Sequence, residues 1–294
     1  MTDQLTDFVF PQLGARGAVV EISAGVEAML GSREYAPAVR RLLGQALAAT
    51  PLLASHSKFD GRINLQFQNK RAGTGAIQLL VTQIDREFNL RGMAKAPADA
   101  DGTFQQLMGG GVLALMLEPR SGAQNYQALV EILGDSLAES LEIYFAHSEQ
   151  LPTLLRLAAH GNRVAGMLLQ RLPQGEIGSS DDSWEHLKIL FGTLGEDELG
   201  ATAPETLLRR LFHAEELRLA PPRPIVLSCR CSHASISAML LALGEAELQP
   251  VLEEQGKIDV TCEFCGRAYS YNALQMRDLF AAELRQPDAS TKLN

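Results

Sequence analysis

The sequence has few cysteines for its length, and basic residues are outnumbered by acidic ones. Its 294 residues include 4 cysteines, 26 Lys and Arg against 35 Asp and Glu, and carry a formal net charge of −9. Proteins that bind nucleic acids through the phosphate backbone need clustered basic side chains. The acidic balance therefore argues against a general nucleic-acid-binding protein.

The sequence also lacks a long apolar run and a targeting signal at its start. No apolar stretch approaches the roughly 18 residues that a membrane-spanning helix needs. The opening residues, MTDQLTDFVFPQL, have neither the basic segment nor the apolar segment of a signal peptide. We therefore expect a cytoplasmic protein with no membrane partner, in a compartment that keeps thiols reduced.

Motifs of common catalytic sites are missing as well. Residues 109–111 are three glycines, but no lysine of a phosphate-binding loop follows them, so they predict a turn before a strand. His147 beside Ser148 and His56 near Asp60 are neighbours in sequence only, and no nucleophile elbow accompanies either pair. We predict that the protein is not an enzyme.

The four cysteines are all in the last quarter of the chain and form two close pairs. Cys229 and Cys231 are separated from Cys262 and Cys265 by 30 residues. Two such pairs are typical of a closed tetrahedral zinc site, in which four thiolates leave no position for a catalytic water. Gly266 after the second pair fits a turn under the metal, because glycine tolerates positive φ. We predict that these cysteines bind one Zn²⁺ in the reduced state.

The first pair is unusual because one residue, rather than two, separates its thiols. In an extended chain, residues i and i+2 lie about 6.6–7.2 Å apart between Cα atoms, whereas disulfides prefer about 5.5–6 Å. Cys229 and Cys231 can therefore form a disulfide only if the backbone tightens. Spacing alone leaves three disulfide connectivities open, and a passive structural zinc site remains the alternative. His233 is expected to be a bystander, since four cysteines already complete the site.

The hydrophobic pattern predicts an α+β protein whose N-terminal domain has a largely antiparallel sheet. Residues 62–68 alternate between apolar and polar, as in a half-buried strand, whereas residues 33–48 and 137–145 have helical periodicity. Little helix separates the strands, which favours antiparallel pairing. Further strands are predicted at 18–22, 77–84, 88–93, 112–117, 126–132, 154–159 and 164–172, with turns at 73–75 and 121–122.

The rest of the chain, residues 176–294, is predicted to be a helical linker and a small metal-binding domain. Residues 174–183 are polar and turn-rich, and the helices after them, at 184–194 and 207–212, are too short to be stable without packing on another surface. Residues 221–224, with three prolines, predict a stiff extended spacer. We predict a core domain at 1–175, a linker at 176–224 and a zinc-binding redox-switch domain at 225–294. The last domain is predicted to contain helices at 232–243 and 245–254, a hairpin at 257–261 and 268–271, a helix near 276–280, and a frayed tail at 286–294.

Several motifs resemble one protein family along nearly the whole chain. Around the cysteines they are Cys229-Arg230-Cys231-Ser232 and Val260-Thr261-Cys262-Glu263-Phe264-Cys265, with Tyr269 downstream. Before the cysteines they are Arg16-Gly17, Lys58-Phe59-x-Gly61, Leu65-Gln66-x-Gln68, Leu90-Arg91-Gly92, Gly109-Gly110-Gly111, Tyr126-Gln127, Ser148-Glu149-Gln150 and Leu169-Gln170-x-x-Pro173. The sequence resembles the redox-regulated 33-kilodalton heat-shock chaperonins, which are cytosolic holdases. It departs from them at Ala128, Ala165 and Tyr271, none of which is a thiol.

The resemblance implies a protein that is inactive while reduced and zinc-bound. It implies that oxidative stress forms the disulfides Cys229–Cys231 and Cys262–Cys265, releases zinc and unfolds the metal-binding domain and the linker. The exposed apolar surface then captures unfolded or misfolded client proteins without ATP, and the oxidised protein forms a homodimer. The alternative is a structural zinc-ribbon protein with a regulatory or nucleic-acid-binding role, which the acidic residues of the last domain disfavour.

Overall fold

A computed structural model describes residues 3–31, 33–55, 60–69, 76–120, 124–173 and 180–285, with side chains described as far as residue 281. Internal contacts divide the chain into two compact units, Met1–Ser228 and Cys229–Asn294. The motif residues 58–59, the predicted turns at 73–75 and 121–122, most of the boundary segment 174–183 and the predicted tail lie outside the described residues.

The first unit contains two larger sheets and the helices that pack on them. Its elements in chain order are β1 (Gln4–Phe10), β2 (Ala15–Ile22), α1 (Val26–Leu30), α2 (Pro37–Ser55), β3 (Gly61–Gln68), β4 (Leu79–Asp85), β5 (Asn89–Lys95), α3 (Phe104–Met108), β6 (Val112–Pro119), β7 (Tyr126–Val130), α4 (Leu137–His147), β8 (Thr153–His160), β9 (Arg163–Arg171), α5 (Asp181–Gly192), α6 (Glu196–Ala201), α7 (Pro204–Leu211), β10 (Arg218–Leu219), β11 (Arg223–Pro224) and β12 (Val226–Leu227).

The strand pairing confirms the expected α+β fold with largely antiparallel sheets. The first sheet has the order β10-β1-β2-β9-β8, with β11 also pairing with β1, and the second has the order β12-β5-β4-β3-β6-β7. Among the described pairs, β12 with β5 is parallel and the others are antiparallel. The glycines at 109–111 lie between α3 and β6, at the turn before a strand that the sequence predicts.

Helix α2 packs against strands of both sheets and forms the centre of the main core. It begins later than predicted, at Pro37, and continues to Ser55, past the end expected from periodicity. Pro51 within the helix removes a backbone donor, a change that costs about 3 kcal/mol in a helix interior. Leu52, which is buried in the main core, and a 2.8 Å hydrogen bond from the Thr50 hydroxyl to the Ala46 carbonyl oxygen offset that cost.

Helices α5, α6 and α7 pack on the opposite face of the first sheet. Because side chains alternate along a strand, Val20 of β2 belongs to the main core, whereas Val19 belongs to a second cluster formed with these helices. Trp184 and Leu187 of α5 are buried in that cluster. The structure therefore places the helices on the sheet, as their apolar stripes predict. The strand residues of the cluster are Phe8, Phe10, Ala15, Val19, Ala158, Ala165, Met167 and Leu169.

The proline-rich segment after α7 is extended, as predicted, but it pairs with a strand, which the sequence did not predict. Arg223 and Pro224 pair with Leu5 and Gln4 of β1, and β12 then pairs with β5. Prolines predict an extended conformation because they fix φ, but they carry no information about which strand lies beside them.

The second unit contains the predicted hairpin and three helices. Its elements are α8 (His233–Leu243), α9 (Glu245–Gln255), β13 (Lys257–Thr261), β14 (Ala268–Asn272) and α10 (Ala273–Arg285), with β13 and β14 antiparallel. Helix α9 continues through Pro250, since Leu248 before it and Leu252 after it pack on the core of the unit. The buried residues of this core are Leu240, Leu248, Ile258, Tyr269, Tyr271 and Met276.

Replacing Leu187 should loosen the helices that cover the first sheet. Leu187 is fully buried, so we expect Leu187→Ala to lower the free energy of unfolding by about 2–5 kcal/mol. Amide hydrogen exchange in α5, α6 and α7 should accelerate. Ile189 lies on the same helix with 71% of its surface exposed, so Ile189→Ala is the matched control and should change neither measurement appreciably. Equal effects of the two substitutions would contradict the observed packing.

Candidate metal centre

The first cysteine pair is held by the start of a helix. Cys229 and Cys231 follow β12, and Ser232 is the N-terminal cap of α8. The Ser232 hydroxyl accepts a hydrogen bond from the Ser235 backbone N–H at 3.1 Å, and the Ser235 hydroxyl accepts one from the Ser232 N–H at 2.8 Å. This reciprocal cap fixes the beginning of the helix immediately after Cys231.

The second cysteine pair is held by the turn of the hairpin. The Cys262 N–H donates to the Arg267 carbonyl oxygen at 2.9 Å, and the Gly266 N–H donates to the Cys262 carbonyl oxygen at 2.9 Å. Gly266 has a φ of 69°, in the left-handed region that glycine adopts without strain. The structure therefore confirms the tight turn expected after Cys265.

The four sulfur atoms lie together in one cluster, and all lie within 4.8 Å of one another. The Cys229 and Cys262 sulfurs are 3.5 Å apart, and those of Cys231 and Cys265 are 3.3 Å apart. Four thiolates at about 2.3 Å from a zinc ion would have sulfur atoms about 3.8 Å apart. The sulfurs therefore need only small shifts to bind one ion, and all-sulfur tetrahedral sites are typical of zinc or iron–sulfur centres.

The protein environment favours a negative charge on some of these thiols over others. Burial raises the pKa of the Cys229 thiol to about 12, against the opposing effect of a hydrogen bond from the Cys231 backbone N–H. Burial also raises the pKa of Cys265. At Cys231 burial acts in the same direction, but contacts with the Tyr269 hydroxyl and the other thiols outweigh it and lower the pKa to about 7. A bound cation would favour the thiolate form of all four side chains.

His233 is not a member of the sulfur cluster. Its exposed ring packs edge-on against Tyr269, with ring centroids 4.9 Å apart, and lies 6.0 Å from the Tyr271 ring. Tyr271 donates from its hydroxyl to the His233 carbonyl oxygen at 3.2 Å. The imidazole therefore has a packing role at the start of α8.

Sequence reasoning did not assign a role to Tyr269, although the residue stands in the family motif. The structure buries its side chain and brings its hydroxyl near Cys231. The same hydroxyl also interacts with the Arg267 side chain. Its position in β14, opposite Val260 of β13, was the available signal, since a strand following a cysteine turn returns its side chains toward the thiols.

The overall fold is that of the 33 kDa chaperonins. The crystal structure of the 33 kDa chaperonin (heat shock protein 33 homolog) from Thermotoga maritima superposes with a TM-score of 0.76 at 21% sequence identity, covering 96% of this chain and 99% of that one. At this identity the likeness establishes the fold alone.

Sequence comparison establishes the family. The profile of the Hsp33 protein family matches residues 3–272. The 33 kDa chaperonin of Pseudomonas aeruginosa is 39% identical over 298 residues, covering 99% of both chains, and that of Nitrosococcus oceani is 38% identical over 291 residues, covering 99% and 98%. The chain belongs to the Hsp33 family of chaperones.

Among the described helices, none combines the length and apolar character needed to cross a membrane.

The turn glycine of the metal centre should affect metal affinity through backbone strain. At the φ of 69° an alanine is strained by about 1–2 kcal/mol, whereas asparagine tolerates this region better. We expect Gly266→Ala to weaken Zn²⁺ binding about tenfold and Gly266→Asn to weaken it less. Competition with a chromogenic chelator measures both affinities. An alanine variant that binds as tightly as the asparagine variant would contradict this account.

Proposed function

We propose that the protein is a redox-regulated, ATP-independent holdase that binds unfolding proteins under oxidative stress. The observation that carries this proposal is the apolar contact between helices α5–α7 and the first sheet, in a chain of the Hsp33 family. The chain that leaves these helices passes through β10, β11 and β12 and then reaches the first cysteine of the cluster. A change at the thiols can therefore alter the segment that covers apolar surface. The similar proteins of Pseudomonas aeruginosa and Nitrosococcus oceani are named chaperonins, which supports a role other than catalysis.

In the reduced state, Cys229, Cys231, Cys262 and Cys265 would hold one Zn²⁺. The donor set supports this choice because four thiolates satisfy a structural zinc ion completely. When bound, zinc supplies folding free energy, on the order of 10–16 kcal/mol in small domains. The second unit has a small buried core, so its own side chains provide only modest stability.

In the oxidised state, we propose the disulfides Cys229–Cys231 and Cys262–Cys265. Each pair of zinc-bound thiolates loses two electrons to one molecule of hydrogen peroxide, which takes up two protons from solvent and is reduced to two molecules of water, and one sulfur–sulfur bond forms. The two disulfides remove all four thiolate ligands, so zinc is released. Sulfur contacts of 3.5 and 3.3 Å join Cys229 to Cys262 and Cys231 to Cys265, across the pairs, and the family resemblance is what supports pairing within them.

Activation would then follow from lost structure. We propose a functional division into a core domain at 1–175, a linker at 176–224 and a redox-switch domain at 225–294, in which the last two unfold on oxidation. Unfolded or misfolded cytoplasmic proteins would bind the exposed apolar surface, and the active form would be a homodimer. Nucleic acid and membranes are not partners in this proposal, in keeping with the net charge of −9.

The test of the function is to measure zinc content and suppression of client aggregation together, before and after mild peroxide oxidation without nucleotide. One zinc ion per reduced chain, its loss on oxidation, and holdase activity only afterwards are expected. Retained zinc after oxidation, or activity that does not depend on oxidation, would overturn the proposed switch.

Substitution of one thiol should weaken zinc binding and loosen the linker. In Cys262→Ser the site loses a soft thiolate ligand, so we expect a lower zinc content and faster hydrogen exchange in α5–α7. His233→Ala is the control for a local change near the cluster and should keep one zinc per chain. Unchanged zinc stoichiometry in Cys262→Ser would count against a four-thiol site.

A further inference from the structure

One short segment covers an edge of each of the two larger sheets. Residues 218–228, here named the strap, contain β10 and β11, which pair with β1, and β12, which pairs with β5. Beside these pairs, the N–H groups of Ala220 and Ile225 donate to carbonyl oxygens of Asp7 and Asp3, both at 2.9 Å. The N–H groups of Val226 and Ser228 donate to the carbonyl oxygens of Phe88 and Leu90, at 3.1 and 3.0 Å respectively. Main-chain hydrogen bonds are thus the principal contact of the strap.

Few side chains anchor the strap. Arg223 forms an ion pair with Asp7 at 2.6 Å and stacks over the Phe88 ring at 4.4 Å. Ile225 is buried in the main core, and the partly buried Leu227 packs against it. By contrast, Leu219 is 47% exposed and Val226 is 51% exposed. Segments with few buried apolar contacts open locally at low free-energy cost. The strap can therefore separate from β1 and β5 while the main core remains folded.

A sheet edge that loses its covering strand presents a row of unpaired N–H and C=O groups. Such an edge pairs readily with another extended chain. We propose that the edges of β1 and β5 beneath the strap are client-binding surfaces, on which extended apolar segments of unfolded proteins form additional strands once the strap leaves. This inference rests on the proposed function, in which oxidation unfolds residues 176–294 and so releases the strap.

The strap itself indicates the chemistry of the occupant. Its contacts use the backbone, which every polypeptide has, so clients of unrelated sequence can replace it. Folded proteins have few free extended segments, so this mode selects unfolded ones. Asp7 loses its Arg223 partner when the strap leaves, which favours client segments with a Lys or Arg near the apolar residues. Phe8, the partner of Leu219 in the ladder, belongs to the apolar cluster under α5–α7 and adds apolar surface beside the β1 edge.

Three fluorescent peptides with the sequence of residues 216–228 test the pairing directly, because this segment contains no cysteine. One is unmodified. The blocked peptide is N-methylated at Ala220 and Val226, whose N–H groups donate to β1 and β5. The control peptide is N-methylated at Leu219 and Leu227, whose N–H groups point away from their paired strands, β1 and β5 respectively, because donors alternate along a strand. The two methylated peptides thus have the same sequence and the same number of methyl groups, and differ in whether the methylated N–H groups face the sheet edge.

Fluorescence anisotropy on the oxidised full-length chain should show binding of the control peptide at least tenfold tighter than of the blocked peptide. In the reduced chain, neither should bind well, whereas reduced Arg223→Ala or Asp7→Asn, which loosen the strap without touching a thiol, should regain binding with the same preference. An excess of control peptide, but not of blocked peptide, should lower client capture by the oxidised chain at least threefold.

The outcomes separate this inference from the proposed function. Holdase activity after oxidation with equal binding of both methylated peptides, or with no peptide binding, would overturn strand addition at these edges and leave the holdase proposal standing. Tighter binding of the control peptide than of the blocked peptide, without any holdase activity, would instead overturn the proposed function. Circular dichroism of Arg223→Ala and Asp7→Asn checks that each variant is folded. If either variant is not folded, the comparison of the two methylated peptides on the oxidised natural chain still tests the inference.

Discussion

The second unit depends on four sulfur atoms brought within 4.8 Å of one another. They join two parts of the unit that are distant in sequence, the start of α8 and the turn between β13 and β14. Without a cation, four thiolates this close would repel one another, and the surroundings raise the pKa of Cys229 while they lower that of Cys231. Whatever neutralises the thiolates therefore also sets the stability of the unit. The unit has few buried residues, so its packing could not compensate for the loss of this cross-link.

The first unit has a different dependence, because the helices that cover its first sheet are short. Helices α5, α6 and α7 contain 12, 6 and 8 residues, and isolated helices of this length are marginal in water. Their structure therefore comes from burial of Trp184, Leu187 and their neighbours against the sheet. The main core around α2 does not need them, since it is formed between that helix and both sheets. The covering layer can thus loosen without unfolding the layer beneath it.

Local patterns predicted the elements that carry their own signal and missed those that depend on distant partners. The alternation of apolar and polar residues predicted strand β3, and the close cysteine pairs predicted the metal site. Both signals are local, because the pleat of a strand and the spacing within each cysteine pair involve only a few residues. Strand β1 was not predicted, although Leu5, Phe8 and Phe10 are buried. Leu5 packs in the main core and the two phenylalanines pack in the second cluster, so apolar residues lie on both faces of the strand and the simple alternation is lost. Helix α3, with 5 residues, is too short to show a period. The pairing of the strap and the position of Tyr269 were beyond local reasoning because their partners lie far away in the sequence.

The proposed oxidation changes the sequence separation between the cysteines that are linked to each other. In the sulfur cluster, Cys229 contacts Cys262 and Cys231 contacts Cys265, across sequence separations of 33 and 34 residues. A covalent cross-link over such a loop removes chain entropy worth about 4 kcal/mol from the unfolded state, whereas one over three or four residues removes about 2 kcal/mol. Disulfides within each pair would therefore replace long-range cross-links by local ones that constrain the unfolded chain less. The Cys229–Cys231 bond would also tighten the backbone next to the Ser232 cap of α8, which the reduced structure holds in extended geometry. The proposed oxidation would thus remove the connection between the helix and the hairpin turn while adding covalent bonds, which is how forming disulfides can unfold a domain rather than stabilise it.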